Sequence, residues 1–149
     1  MKATGSSRTK KSNGSAKEVA VLLVEDHDDT RIVLSDWLKR HDYKVTSAAS
    51  CAEARSLIKA NKDFRLLISD VGLPDGSGYD LMVEFKKKFS ANGIALTGLD
   101  REEDVAQSRA SGFTTHLTKP VRIELLKTAL AATLQITTDD VFIQNGMVR

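Results

Sequence analysis

Two adjacent acids, Glu25-Asp26, follow the short apolar run Val19-Ala-Val-Leu-Leu-Val24. Asp70 ends a second such run, Thr97-Gly98 ends a third, and Lys119-Pro120 follows a fourth. Three carboxylates gathered in one cleft repel each other, and a hard divalent cation resolves that conflict. Mg²⁺ suits them, because it takes a couple of carboxylates, several waters and a phosphate oxygen. On this reading Asp26 and Asp70 ligate directly, Glu25 acts through water, and the Gly72 carbonyl supplies a further oxygen. A metal-bound aspartate can also attack phosphorus and form an acyl phosphate, and Asp70 is the candidate nucleophile. Lys119 and the Thr97 hydroxyl would then neutralise and hydrogen-bond the phosphoryl oxygens. Each piece has an ordinary reading when met alone. An acidic pair is usually solvated, a strand-end aspartate usually caps a helix, Thr-Gly is a turn, and a lysine is a surface charge. Their succession at strand ends is what overturns those readings.

The elements that must position these groups alternate along the chain. Val19–Val24 has no polar alternation, as expected for a strand buried on both faces. Val33, Leu34, Trp37 and Leu38 follow at helical spacing. Tyr43 to Ser47 is more polar and reads as an edge strand. Ala54, Leu57 and Ile58 mark a second helix, and Phe64 to Ile68 a buried strand. Leu81, Met82, Phe85 and Phe89 mark a third helix, and Ile94 to Thr97 a short strand. Asp100 to Ser111 reads as a helix with Asp100 as its N-cap and Gly112 as its C-cap. Thr114 to Thr118 is a fifth strand, and Ile123, Leu126, Leu130 and Leu134 stripe a fifth helix. Strands alternating with helices imply a parallel sheet covered on both faces. In such sheets ligands sit at the carboxyl ends of the strands. With the order 2-1-3-4-5, strands 1, 3, 4 and 5 are neighbours about 4.8 Å apart, so their terminal side chains can converge.

At 149 residues, 41% hydrophobic and 28% charged, the chain reads as one ordinary globular domain spanning residues 18–134. Residues 1–17 carry +5 and no acid, which leaves a net −3 for the rest of a chain whose formal charge is +2. That Gly/Ser/Lys stretch reads as a solvated tail or linker in preference to a nucleic-acid contact. No apolar run is long enough for a membrane span, and no secretory signal opens the chain. The lone Cys51 cannot make an internal disulfide, which fits a reducing, cytoplasmic setting. Residues 135–149 break the βα pattern. Val141, Phe142, Ile143, Met147 and Val148 either dock on the domain or a partner, or belong to a disordered extension.

Val24-Glu-Asp-His-Asp-Asp-Thr30, Ser69-Asp-Val-Gly-Leu-Pro-Asp-Gly-Ser-Gly78, Ala95-Leu-Thr-Gly98 and Lys119-Pro120 together resemble the receiver domain of two-component response regulators, the family of the chemotaxis response regulator. The resemblance covers about residues 18–134. It implies a flavodoxin-like, doubly wound five-stranded parallel sheet of order 2-1-3-4-5 with five helices. It implies Glu25 and Asp26 as the acidic pair, Asp70 as phosphoacceptor, Thr97 as the switch hydroxyl beside Gly98, and Lys119 as the phosphate-binding lysine. It also implies a cis bond before Pro120. The donor is then a phosphohistidine on a histidine kinase or a histidine phosphotransfer protein. The face of the fourth helix, fifth strand and fifth helix is then the one that switches and could form a homodimer. His116 departs from the pattern, since its position commonly holds Tyr or Phe. It reads either as a titratable switch residue or as a surface histidine of no special role. Gly72 and Leu99 offer no polar side chain to position a hydrolytic water, which predicts a long-lived phosphoryl group.

Two other functions compete. Haloacid-dehalogenase-type phosphatases place a nucleophile in an Asp-x-Asp motif after the first strand, and Asp26 and Asp28 have that spacing. However, Asp29 then stands where a β-branched or hydroxyl residue is usual, no cap domain fits, and Asp70 goes unexplained. A phosphorylation-independent pseudo-receiver is the other, and the intact acidic set speaks against it. The chain holds no histidine-kinase ATP site, so it reads as a phosphoacceptor and not an enzyme. It is either a stand-alone regulator or the receiver part of a hybrid kinase.

Overall fold

In the interior strand β1 (Val19–Val24), side chains alternate between two separate apolar clusters. Ala20, Leu22 and Val24 enter one cluster with residues of α2 (Cys51–Ala60) and α3 (Gly78–Phe89). Val21 and Leu23 enter the other with residues of α1 (Asp28–Arg40) and α5 (Ile123–Gln135). A strand apolar on both faces thus demands helices on both faces, as the unalternating sequence implies. The computed structural model describes residues 18–98, 101–135 and 141–148. The expectations for residues 1–17, Leu99 and Asp100 lie outside them. Besides β1, the strands are β2 (Tyr43–Ala48), β3 (Leu66–Asp70), β4 (Gly72–Leu73), β5 (Gly76–Ser77), β6 (Asn92–Thr97), β7 (Thr115–Thr118), β8 (Ile143–Gln144) and β9 (Met147–Val148). The fourth helix, α4, spans Glu102–Ser111.

The main sheet runs β2-β1-β3-β6-β7-β8-β9. Its first five members are parallel and reproduce the order 2-1-3-4-5, with the polar β2 at the edge. The expected five strands become seven, because residues 143–148 form a hairpin whose first strand pairs in parallel with β7. Part of the C-terminal apolar stretch therefore docks on the domain. Phe142 and Ile143 are buried, whereas Met147 and Val148 are exposed. Asn145-Gly146 forms the turn with positive φ at both residues, 48° and 85°, the backbone a type I′ turn needs.

Several expected boundaries shift for physical reasons. Phe64 precedes β3, and its ring packs edge-on to Phe89, centroids 5.6 Å apart. Val33 does not join the core stripe of α1. Leu34 and Leu38 point inward, while Ile32 and Val33 are 62% and 60% exposed on the helix flank. Helix α4 is preceded by Arg101, and it ends at Gly112, whose φ of 110° gives the left-handed C-cap. At α2, Ser50 accepts the Glu53 N–H while Asp75 accepts those of Cys51 and Ala52. These satisfy three donors that an isolated helix leaves orphaned.

Candidate functional site

Register alone brings the site together at the carboxyl end of the sheet. Val24 pairs with Ser69, so Glu25 leaves β1 beside Asp70. Asp70 pairs with Leu96, so Thr97 lies one residue beyond it on the next strand, and Thr97 in turn pairs with Thr118. The chain can pass this close only because residue 78 is glycine. A Cβ there would sit 2.0 Å from the Asp70 carbonyl oxygen.

Glu25, Asp26 and Asp70 each offer a carboxylate oxygen within 4.8 Å of the others. Glu25 and Asp70 are buried, while Asp26 is exposed at the mouth. Lys119 crosses the intervening strand, placing Nζ 2.5 Å from Asp70 Oδ1 and 3.0 Å from Glu25 Oε1. These are ion-pair contacts outside hydrogen-bond geometry, and Asp70 Oδ2 meets no donor among the described residues. Burial, and then the facing Glu25 carboxylate, pushes the Asp70 carboxyl up to about 8 against the pull of Lys119. Burial also works against the Glu25 charge, but the facing Asp70 carboxyl, the hydrogen bond from the His27 N–H and the Lys119 ammonium together bring it below its usual value. Lys119 is raised despite its burial, because both carboxylates favour its charged form. Two facing buried carboxylates, one with an oxygen lacking a donor among the described residues, fit a hard divalent cation.

Thr97 is buried, and its carbonyl accepts the Lys119 N–H at 2.7 Å. The Lys119–Pro120 bond is cis. Gly72 and Gly98 are exposed, and a Cβ at either would meet nothing within 4 Å, so no steric demand for glycine exists there. His116 is fully buried, with Nδ1 2.9 Å from the Ser108 hydroxyl, which excludes a surface histidine. Asp28 lies outside the acidic cluster, exposed and paired with Arg31 at 2.7 Å, so the Asp-x-Asp spacing gathers no site. The same Arg31 donates to the Glu25 carbonyl. Sequence reasoning passed over that contact, and over Asn145-Gly146, although Asn-Gly between apolar pairs is a strong hairpin signal.

A family model described as response regulator receiver domain matches residues 21–131. The chain belongs to the response regulator receiver domain family. This receiver is 38% identical over 114 residues to an uncharacterised 14.6 kDa protein in the sodA1 3′ region of Leptolyngbya boryana, covering 74% of this chain and 86% of that protein. It is 35% identical over 109 residues to the two-component response regulator ORR24 of Oryza sativa subsp. indica, covering 72% of this chain but only 17% of that longer one. A solved response regulator from Burkholderia pseudomallei, described with a phosphorylated aspartic acid, a calcium ion and citrate, superposes with a TM-score of 0.69. It is 27% identical, with 79% of this chain and 67% of that one covered. The receiver is a signalling domain of two-component systems, and none of its described helices is long and apolar enough to cross a membrane.

Proposed function

We propose that this receiver takes a phosphoryl group from a phosphohistidine of a histidine kinase or phosphotransfer protein onto Asp70. The observation that carries this reading is the buried Asp70 carboxylate, facing Glu25 and Lys119, with one oxygen that meets no donor among the described residues. Asp26 and Asp70 would hold Mg²⁺ directly, Glu25 through water, and the Gly72 carbonyl would add a ligand. When bound, the ion supplies charge neutralisation to the carboxylates and to the transferring phosphoryl oxygens. Asp70 donates the attacking oxygen, which bonds to phosphorus as the bond to the donor imidazole nitrogen breaks. Lys119 is already placed to balance the charge that arrives, and the Thr97 hydroxyl hydrogen-bonds it. Phosphorylation adds about −1.5 to −2 charge. It shifts the population of the face made by α4, β7 and α5, with His116 inside that face as the switch residue.

The reading accommodates a cytoplasmic regulator standing alone or the receiver part of a hybrid kinase. Support comes from the relatives' description as two-component response regulators and from the phosphorylated aspartate of the Burkholderia protein. Acetyl phosphate with Mg²⁺ should label the wild-type chain, and Asp70→Asn should abolish labelling. Label retained by Asp70→Asn overturns the assignment.

A further inference from the structure

The C-terminal hairpin does more than cover the edge of β7. Ile143 N–H donates to the Thr114 carbonyl and Asn145 N–H to the His116 carbonyl, both at 2.9 Å. The Asn145 side chain then grips the strand two residues further on, at Thr118. Its Oδ1 accepts the Thr118 N–H at 2.9 Å, and its Nδ2 donates to the Thr118 hydroxyl at 3.1 Å. One peptide further on, the Lys119 N–H is held by the Thr97 carbonyl at 2.7 Å. The backbone that launches Lys119 is thus fastened on one side by the neighbouring strand and on the other by Asn145. Phe142 anchors the hairpin at the far end, buried beside the Arg109 guanidinium 5.8 Å from its ring centroid.

We propose that Asn145 is a positioning residue for Lys119, so that docking of the C-terminal hairpin and occupancy of the phosphoryl site favour each other. This rests on the phosphoacceptor reading of Asp70. A lysine that must meet a phosphoryl oxygen is most effective when its backbone is fixed beforehand, because small displacements cost much of the interaction. Reciprocity follows from linkage. If the clamped β7 binds a phosphoryl group better, a bound phosphoryl group must tighten the clamp by the same factor.

Asn145→Gly isolates the side-chain bonds, because glycine keeps the positive φ of the turn and leaves the hairpin able to pair. In the full chain, Mg²⁺-dependent binding of beryllofluoride, a phosphoryl mimic, should weaken about fivefold or more in Asn145→Gly. Asn145→Asp keeps the acceptor for Thr118 N–H and should recover most of the affinity. Met147→Ser, on the exposed strand β9, should bind as wild type does. In the wild type, beryllofluoride should slow amide hydrogen exchange at Ile143 and Asn145. Unchanged affinity in Asn145→Gly, or hairpin exchange indifferent to beryllofluoride in a wild type that binds it, overturns the inference. A wild type that binds no beryllofluoride at Asp70 instead brings down the phosphoacceptor reading, and this inference with it.

Discussion

At the residue scale, Asp70 draws its chemistry from its surroundings. A strand-end carboxyl in water would titrate near 3.9. Here burial, and then the facing Glu25 carboxylate, push it up to about 8 against the pull of Lys119. Gly72, two residues on, is a vacancy of another kind. It is exposed, and a side chain there would collide with nothing. A phosphoryl group on Asp70 should therefore survive well beyond a few seconds, with no polar side chain at 72 to orient water. Gly72→Asn should shorten its lifetime at no steric cost, as followed by loss of label after removal of acetyl phosphate. An unchanged lifetime would mean that water is oriented from elsewhere.

At the element scale, α2 depends on a residue far away in sequence. Asp75, in the turn between β4 and β5, accepts the N–H groups of Cys51 and Ala52 at the start of the helix. Those two bonds, the Cys51 one first, hold the Asp75 carboxyl below its usual value. A carboxyl depressed in the folded state contributes stability above its unfolded pKa of about 3.9 and loses it as pH falls through the folded value. Asp75→Ala should lower the urea midpoint at neutral pH, and the difference from wild type should close as the medium is acidified below the ordinary carboxylate range. A gap that persists unchanged in acid would assign the effect to packing. On β7, buried polar groups are paired on both faces. Thr115 meets Thr133 of α5 at 2.5 Å, and His116 meets Ser108 of α4. The strand read as the moving one is thus hydrogen-bonded to both helices that would carry the change outward.

For the whole molecule, the buried carboxylate pair is a cost that folding must carry, since two like charges compete for one lysine. On the proposed reading Mg²⁺ would bind only the folded arrangement of Asp26 and Asp70, so it should stabilise the chain by mass action. At one hundred times its dissociation constant the gain is about 2.7 kcal/mol. Thermal unfolding should therefore move upward by several degrees with Mg²⁺ and return with a chelator. Asp26→Asn should lose the response. A midpoint indifferent to Mg²⁺ would count against the metal site.

Much of this was legible in the amino-acid sequence. Unalternating runs such as Val19–Val24 dictate a strand buried on both faces, and five βα repeats leave few ways to close a core. The acids, threonine and lysine at successive strand ends mark a candidate site in the sequence, because parallel strands deliver their carboxyl ends to one edge. What sequence could not supply depends on side chains meeting across long separations. Whether Val141–Val148 would dock, whether His116 would face water or Ser108, and which distant acceptor would cap α2 are each decided by a partner that local pattern does not reveal. Asn145 shows the limit most clearly. Its turn is written in the dipeptide Asn145-Gly146, but its grip on Thr118, beside the lysine of the site, exists only once the hairpin has found the edge of β7.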